Sequence, residues 1–257
     1  YNALASNAIS PLGSGDRWLL SLPLYHVGGL AVFFRILLSG AAMVIPHKKD
    51  NLAETIDNYK ISHLSLVPTQ LYRLLQKKSS QYSLAKLKLI LLGGANIPEH
   101  LIKKTSEIGL NLKTTYGSTE MASQVATGSI DSYKILPYSE VRISNINEIE
   151  VRGKTRFLGY FEGEKLLKPF DSDGWFKTGD LGFWASTTKK LGGNNLYQKK
   201  FLKIVGRMDG MFFSGGENIL PEEIENVLYQ SKMVERAKVV SVRDIEFGNR
   251  PVVFIKY

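Results

Sequence analysis

The sequence predicts an α/β protein with a parallel-sheet α/β core, then a β-rich subdomain, then the start of a small α+β C-terminal domain. Three observations carry this. Residues 41–115 alternate between strand-like and helix-like patterns, as chains that build parallel sheets do. After about residue 138 short alternating strands take over. Around Gly206-Arg207-Met208-Asp209 the pattern changes again, to one helix and two strand-like runs. The expected division is therefore 1–138, 139–208 and 209–257.

The first region reads in order. Ala41 to Ile45 is a strand stopped by Pro46. Asn51 can cap a helix, with Glu54 three residues on and Leu52, Ile56 and Tyr59 on one face. His63 to Val67 is a short strand, and Thr69 can cap a helix that turns Leu71, Leu74 and Leu75 inward. Leu87 to Leu92 is an apolar run that ends at Gly93-Gly94, as a buried strand opening into a loop would. Pro98 and Glu99 suit a first helical turn, Gly109 its C-terminal cap, and Leu110 to Thr115 a returning strand. Ligands of such sheets bind beyond the carboxyl ends of the strands, where the Gly93-Gly94 loop and the loop after Thr115 lie. Farther on, Val141–Ile143 and Ile149–Val151 flank Asn145-Ile146-Asn147 as a hairpin, with more strands near 156–161 and 197–205. Pro221 opens a helix with Glu222 and Glu223 in its first turn and Ile224, Val227 and Leu228 as its apolar stripe. Strand-like runs at 237–242 and 251–257 follow.

Composition narrows the function classes. With 44% hydrophobic and 22% charged residues, the chain has an ordinary globular balance. No apolar run approaches the ~20 residues that span a bilayer. The absence of Cys removes disulfides and thiolate chemistry, and fits a cytoplasmic protein. A net charge of +9 invites a nucleic-acid reading. The basic residues are dispersed, however, in pairs such as Lys48-Lys49, Lys103-Lys104, Lys189-Lys190 and Lys199-Lys200. They read as solvated surface, so neither nucleic acid nor a membrane span is expected.

Four segments point to chemistry. In Tyr116-Gly117-Ser118-Thr119-Glu120, Gly117 permits a close turn. Tyr116 offers a flat face for a base, Thr119 a hydroxyl for phosphate, and Glu120 a hard oxygen for Mg²⁺. In Gly174-Trp175-Phe176-Lys177-Thr178-Gly179-Asp180, Asp180 can accept from ribose hydroxyls. The others are Gly206-Arg207-Met208-Asp209 and Ser214-Gly215-Gly216-Glu217-Asn218-Ile219. Taken singly, each is also an ordinary turn; their order and joint spacing are not.

Together they resemble the acyl- and aryl-CoA synthetase, luciferase and peptide-synthetase adenylation superfamily. The resemblance covers essentially the whole chain and extends to Leu22-Pro23-Leu24-Tyr25-His26-Val27-Gly28-Gly29, Val67-Pro68-Thr69-Gln70-Leu71, Gly93-Gly94-Ala95, and Glu148 to Gly153 leading to Gly159-Tyr160. Within it, the segment around His26 and Thr119-Glu120-Met121-Ala122-Ser123-Gln124-Val125 resemble the o-succinylbenzoate–CoA ligases of menaquinone biosynthesis. The resemblance implies an AMP-forming ligase that takes a carboxylate, ATP, Mg²⁺ and CoA. Aryl- and fatty-acyl-CoA synthetases and adenylation domains remain the alternatives.

By that resemblance, Tyr116 stacks near adenine beside Gly93, Gly94 and Ala95, with Gly117 completing the nucleotide turn. Thr119 contacts the α-phosphate, Glu120 helps hold Mg²⁺, and Asp180 and Arg207 grip the ribose. His26 stands at the acyl pocket, Asp209 is the hinge, and Gly215, Gly216 and Glu217 line the thiol channel. Arg35 and Ser123 are candidates for a second substrate carboxylate, since a buried charge needs a partner. Two family elements are absent: the Ser/Thr/Gly-rich phosphate loop and a late catalytic Lys. The chain is therefore expected to be a fragment that does not adenylate alone, an expectation that robust pyrophosphate exchange would overturn. Residues 183–205 read as a surface insertion, and Phe213 replaces a Lys common before the Ser-Gly-Gly loop.

Overall fold

The computed structural model describes residues 1–47, 51–129, 132–191, 195–231 and 233–257, of which 187–191 and 195–199 by their backbone alone. The Lys48-Lys49 pair, residues 192–194 of the 183–205 stretch, and the side chains of Lys189, Lys190 and Lys199 lie outside that description.

The chain opens with α1 (Asn2–Ile9), β1 (Arg17–Leu19), α2 (Val27–Ser39) and β2 (Ala42–Val44). It continues through α3 (Leu52–Asn58), β3 (His63–Leu66), α4 (Pro68–Leu75), α5 (Lys78–Ala85), β4 (Leu89–Leu92), α6 (Glu99–Ile108) and β5 (Leu112–Ser118). β2, β1, β3, β4 and β5 lie side by side in that order, all parallel. β4 shows why the apolar run is continuous. Leu89 and Leu91 face the core that holds Trp18, Val32 and Ile36. Ile90 and Leu92 face the core that holds Leu64, Leu66, Leu71 and Leu101. A strand covered on both faces has no polar side to show, and each such buried side chain contributes about 2 kcal/mol.

The sheet is mixed rather than parallel throughout. After a 3₁₀ turn at Thr119–Met121, β6 (Ser123–Ser129) runs back antiparallel to β5. β7 (Ser132–Ile135), β8 (Ser139–Ile143), β9 (Glu148–Gly153), β12 (Phe176–Leu191) and β13 (Asn195–Arg207) extend one eleven-stranded sheet in the order β2-β1-β3-β4-β5-β6-β7-β13-β12-β9-β8. β10 (Tyr160–Glu162) and β11 (Lys165–Leu167) form a separate hairpin. The backbone of 183–191 and 195–205 belongs to the long antiparallel pair β12–β13, registered from Asp180↔Arg207 to Leu191↔Asn195. Beyond Arg207 come the hairpin β14 (Phe212–Ser214) and β15 (Glu217–Ile219), the helix α7 (Pro221–Leu228), and the hairpin β16 (Arg236–Asp244) and β17 (Gly248–Lys256).

Several local expectations change. Val67, not Thr69, caps α4: Pro68 takes the first helical position, and Gln70 Oε1 accepts the Val67 N–H at 3.0 Å. Tyr59 follows the end of α3 and is 46% exposed, so it does not share the inward face of Ile56. On α7, Val227 is 64% exposed while Glu225 is buried, accepting from the Val239 N–H at 2.9 Å and from Lys238 Nζ at 3.0 Å. A carboxylate with those partners outcompetes the valine for the inner face, because an unpaired buried N–H costs about 1–3 kcal/mol. No helix among the described residues is long and apolar enough to cross a membrane.

Candidate functional site

Two cavities open past the carboxyl ends of the parallel strands, where an open α/β sheet leaves room for a ligand. One, of about 400 Å³, is lined by Pro23 after β1, Val67 after β3, Gly93 after β4, and by His26, Arg35 and Gln124. The other, of about 750 Å³, is lined by Ala95, Tyr116, Glu120, Asp180 and Arg207 among others. Gly94, Thr115, Gly117 and Ser118 face both. Glycines let the backbone pack closely at this partition. An ideal Cβ on Gly117 would lie 1.7 Å from the Ser123 carbonyl oxygen, and one on Gly93 would lie 2.2 Å from Thr115 Oγ1.

In the larger cavity, residues far apart in sequence form a continuous polar chain. The Tyr116 hydroxyl donates to Asp180 Oδ2 at 2.7 Å. Asp180 Oδ1 accepts from Arg207 Nη1 at 2.9 Å. Arg207 also donates from Nε and Nη2 to the two carboxylate oxygens of Asp209, at 2.9 and 3.0 Å. Burial holds the Asp180 carboxyl above its ordinary value, against the opposing pull of Tyr116 and Arg207. Burial and the Asp180 charge raise the Tyr116 phenol well above its usual range. Asp209, exposed and paired with Arg207, is held low. Arg207 thus ties the candidate hinge residue to the candidate ribose residue.

Thr119 and Glu120 stand at the partition and diverge: Thr119 lines the smaller cavity and Glu120 the larger. Glu120 Oε1 accepts from the Tyr160 hydroxyl at 2.8 Å; burial and this bond push Tyr160 up to about 12, which keeps it a donor. Among the described residues no cluster of three or more His, Cys, Asp or Glu is placed to hold a metal. Glu120, beside the partition, fits Mg²⁺ as a single carboxylate ligand, since that ion is usually bound through one or two carboxylates, substrate phosphates and water.

In the smaller cavity, His26 is the exposed N-cap of α2, its ring 4.6 Å from that of Tyr25. Arg35 is 2% exposed. Its Nη2 donates to Gln124 Oε1 at 2.9 Å, its guanidinium lies 5.5 Å from the Trp18 ring centre, and its Nε has no partner among the described residues. Burial alone lowers it to about 10, with no carboxylate among the described residues offsetting the effect. Ser123 lines the same cavity.

Gly215, Gly216 and Glu217 face neither cavity. Gly215 and Gly216, at φ +57 and +90, make the turn between β14 and β15. An ideal Cβ on Gly215 would lie 2.7 Å from the Phe247 ring, so the loop packs on the last hairpin. The exposed Phe213 precedes it. The structure also adds residues that the motifs did not single out. Glu148 lines the larger cavity, and its Oε1 accepts the Gly179 N–H at 3.0 Å. Glu222 and Asn226 of α7 close the same cavity from the C-terminal side. Glu148 opens the segment to Gly153 that the resemblance matches, with no role attached to it there; Glu222 read only as a first-turn acid, since the contact of α7 with the cavity is tertiary.

Residues 1–161 match the AMP-binding enzyme family. The 2-succinylbenzoate–CoA ligase of Salmonella typhimurium is 41% identical over 254 residues, covering 97% of this chain and 51% of its own. Wild-type E. coli MenE, solved with a phenylether-linked analogue of OSB-AMS, superposes with a TM-score of 0.77 at 39% identity, over 100% of this chain and 55% of that one. The o-succinylbenzoate coenzyme A synthetase (MenE) of Bacillus subtilis, in complex with ATP and magnesium ion, superposes with a TM-score of 0.76 at 28% identity, over 98% and 54%. The chain spans about half the length of the curated relatives it matches. With the family matched over more than half of the chain and the two cavities placed beyond its strand ends, the chain belongs to the AMP-binding enzyme family.

Proposed function

We propose that this chain carries the acyl and nucleotide sites of an AMP-forming acid–CoA ligase that converts o-succinylbenzoate, ATP and CoA to o-succinylbenzoyl-CoA, AMP and pyrophosphate in menaquinone biosynthesis. The observation that carries the substrate is Arg35, a buried cation without an acidic partner among the described residues, lining the smaller cavity. An acid with a second carboxylate supplies the missing charge; a benzoate or a fatty acid does not.

In this reading the reacting carboxylate lies between His26 and the Gly117-Ser118 partition, and the adenosine occupies the larger cavity. Tyr116 and the Gly93-Gly94-Ala95 loop flank the base, and Asp180 with Arg207 takes the ribose. A carboxylate oxygen attacks the α-phosphorus, pyrophosphate leaves, and the CoA thiol then attacks the acyl carbonyl and releases AMP. Thr119 donates to the α-phosphate as charge builds there. Glu120 would hold in part the Mg²⁺ that accompanies ATP, whose charge would offset that of the phosphate oxygens. Asp209 is the hinge of the 209–257 unit, which brings Gly215, Gly216 and Glu217 to the thiol in the second half-reaction.

The test is ATP–pyrophosphate exchange by the protein at the length of its curated relatives, with o-succinylbenzoate, benzoate and medium-chain fatty acids, followed by addition of CoA. Exchange with o-succinylbenzoate alone, then thioester formation, is expected. Exchange led by another acid overturns the substrate, and exchange with none overturns the activity.

A further inference from the structure

Glu120 is gripped from two sides by the segment that follows β9. The Phe157 N–H donates to the Glu120 carbonyl oxygen at 2.7 Å, and the Tyr160 hydroxyl donates to Glu120 Oε1 at 2.8 Å. One contact fixes the backbone and the other fixes the carboxylate. The Tyr160 ring is itself set. It packs edge-on against Phe157 at 4.8 Å between centroids, and Phe157 meets Phe170 and Phe176 at 5.4 Å each. Gly159, just before it, has φ +143, and an ideal Cβ there would lie 2.2 Å from the Leu167 carbonyl oxygen. The chain reaches the cavity at Tyr160 only through a glycine.

A phenol donates a single hydrogen bond. Given to Oε1, it restrains the carboxylate at that oxygen and leaves Oε2 to meet a hard cation. We propose that Tyr160 is the positioning residue for Glu120, its hydroxyl aiming the carboxylate at the Mg²⁺ that accompanies ATP. The inference rests on the MgATP reading of the larger cavity. Tyr160 acts through Glu120, so loss of its hydroxyl weakens the metal's contribution to binding and spares the contacts made by the nucleotide itself. Partners that orient a metal ligand are typically worth about ten-fold or more in metal affinity.

The experiment is calorimetric titration of ATP, in excess Mg²⁺ and in EDTA, into the protein at the length of its curated relatives. The variants are Tyr160→Phe, Glu120→Gln and the double substitution. Tyr160→Phe keeps the ring packing and removes only the hydroxyl. It is expected to leave ATP affinity in EDTA unchanged and to cut the gain conferred by Mg²⁺ about ten-fold. Glu120→Gln is expected to cut that gain at least as far, and the double variant to be no worse than Glu120→Gln. If Tyr160→Phe weakens ATP equally with and without Mg²⁺, or changes neither, while Glu120→Gln still reduces the gain, the positioning role is wrong and the metal assignment stands. If Glu120→Gln leaves the gain intact, the metal reading of the cavity fails and takes the inference with it.

Discussion

Arg35→Met separates what the acyl cavity needs from what the fold needs. Burial lowers the guanidinium from its ordinary arginine range to about 10, which at ~1.4 kcal/mol per unit corresponds to about 3 kcal/mol. The sign follows from its being a base with a depressed folded value. Protonation is harder in the folded state, so the cost is fully present below about 10 and fades only as the pH rises toward the ordinary arginine range. At any working pH the ligand-free fold carries it. Methionine keeps the length and packs against Trp18. The change forfeits the Gln124 hydrogen bond and the cation–π contact, about 1 kcal/mol each. The balance is a ligand-free protein about 1 kcal/mol more stable, read as a higher urea midpoint with an unchanged slope. The same variant should lose about 100-fold in kcat/KM for o-succinylbenzoate, on the scale of a buried charge pair broken on one side. An analogue without the distal carboxylate should be nearly unaffected. A variant less stable by 2 kcal/mol or more, with the ratio between the two substrates unmoved, would refute the reasoning.

Other consequences follow from the larger cavity and the partition. Because burial holds Asp180 above the ordinary carboxylate range, nucleotide affinity should fall on acidification before exposed carboxylates titrate. Tyr116→Phe removes a bond that lowers the group, so the midpoint should move to higher pH; a profile flat through the carboxylate range counts against Asp180. Arg207→Lys keeps the charge but loses the fork shared by Asp180 and Asp209, and should weaken ATP binding about ten-fold, as measured by equilibrium titration. Gly117→Ala places a Cβ against the Ser123 carbonyl, backbone meeting backbone in paired strands. It should abolish exchange with both cavities' ligands and lower the melting temperature; wild-type activity would mean the partition can shift. Glu225→Ala strands the Val239 N–H and should cost about 1–3 kcal/mol, visible as faster proteolysis within 209–257.

Residues 41–115 were legible where a strand is continuously apolar, as β4 is, and where helices have clear starts and stops. Leu89–Leu92 had to be covered on both faces, and Gly109, at φ +75, had to end a helix. α2 was not legible. Val27–Ser39 is apolar nearly all round: Val32 and Ile36 are buried while Phe34, Leu37 and Leu38 are exposed. Such a helix has no polar face to reveal a 3.6-residue stripe. Tyr59 and Val227 misled because period alone cannot say where a helix stops or whether a neighbouring carboxylate has a better claim to the inside. At the site, residue types were legible where the backbone imposed them: at Gly179 by a turn, and at Gly117, which lies in β5 rather than in the expected turn, by the close Ser123 carbonyl. The partnerships were not. Tyr116 and Asp180 are 64 residues apart, and Glu120 and Tyr160 are 40 apart. No local pattern encodes which hydroxyl meets which carboxylate.

What makes one segment serve two cavities is the reversal at the end of β5. The chain leaves a parallel strand, makes one 3₁₀ turn, and returns antiparallel through Ala122 and Ser123, at φ +53 and +105. Neither residue is glycine, so the reversal is strained and needs support from elsewhere. Asn2 supplies it: buried, it donates from Nδ2 to the Met121 carbonyl at 3.2 Å and to the Gln124 carbonyl at 2.7 Å, bracketing the strained pair. With the reversal held, Thr119 and Glu120 emerge on opposite sides of a wall one backbone thick. In the proposed reading, an acid on one side and a nucleotide on the other meet across the shared residues, Gly117 and Ser118 among them. If that is how the site works, Asn2→Ala should impair exchange with every acid alike, whereas Arg35→Met impairs only the dicarboxylate. Comparing the two substrate profiles therefore separates holding the partition from reading the substrate.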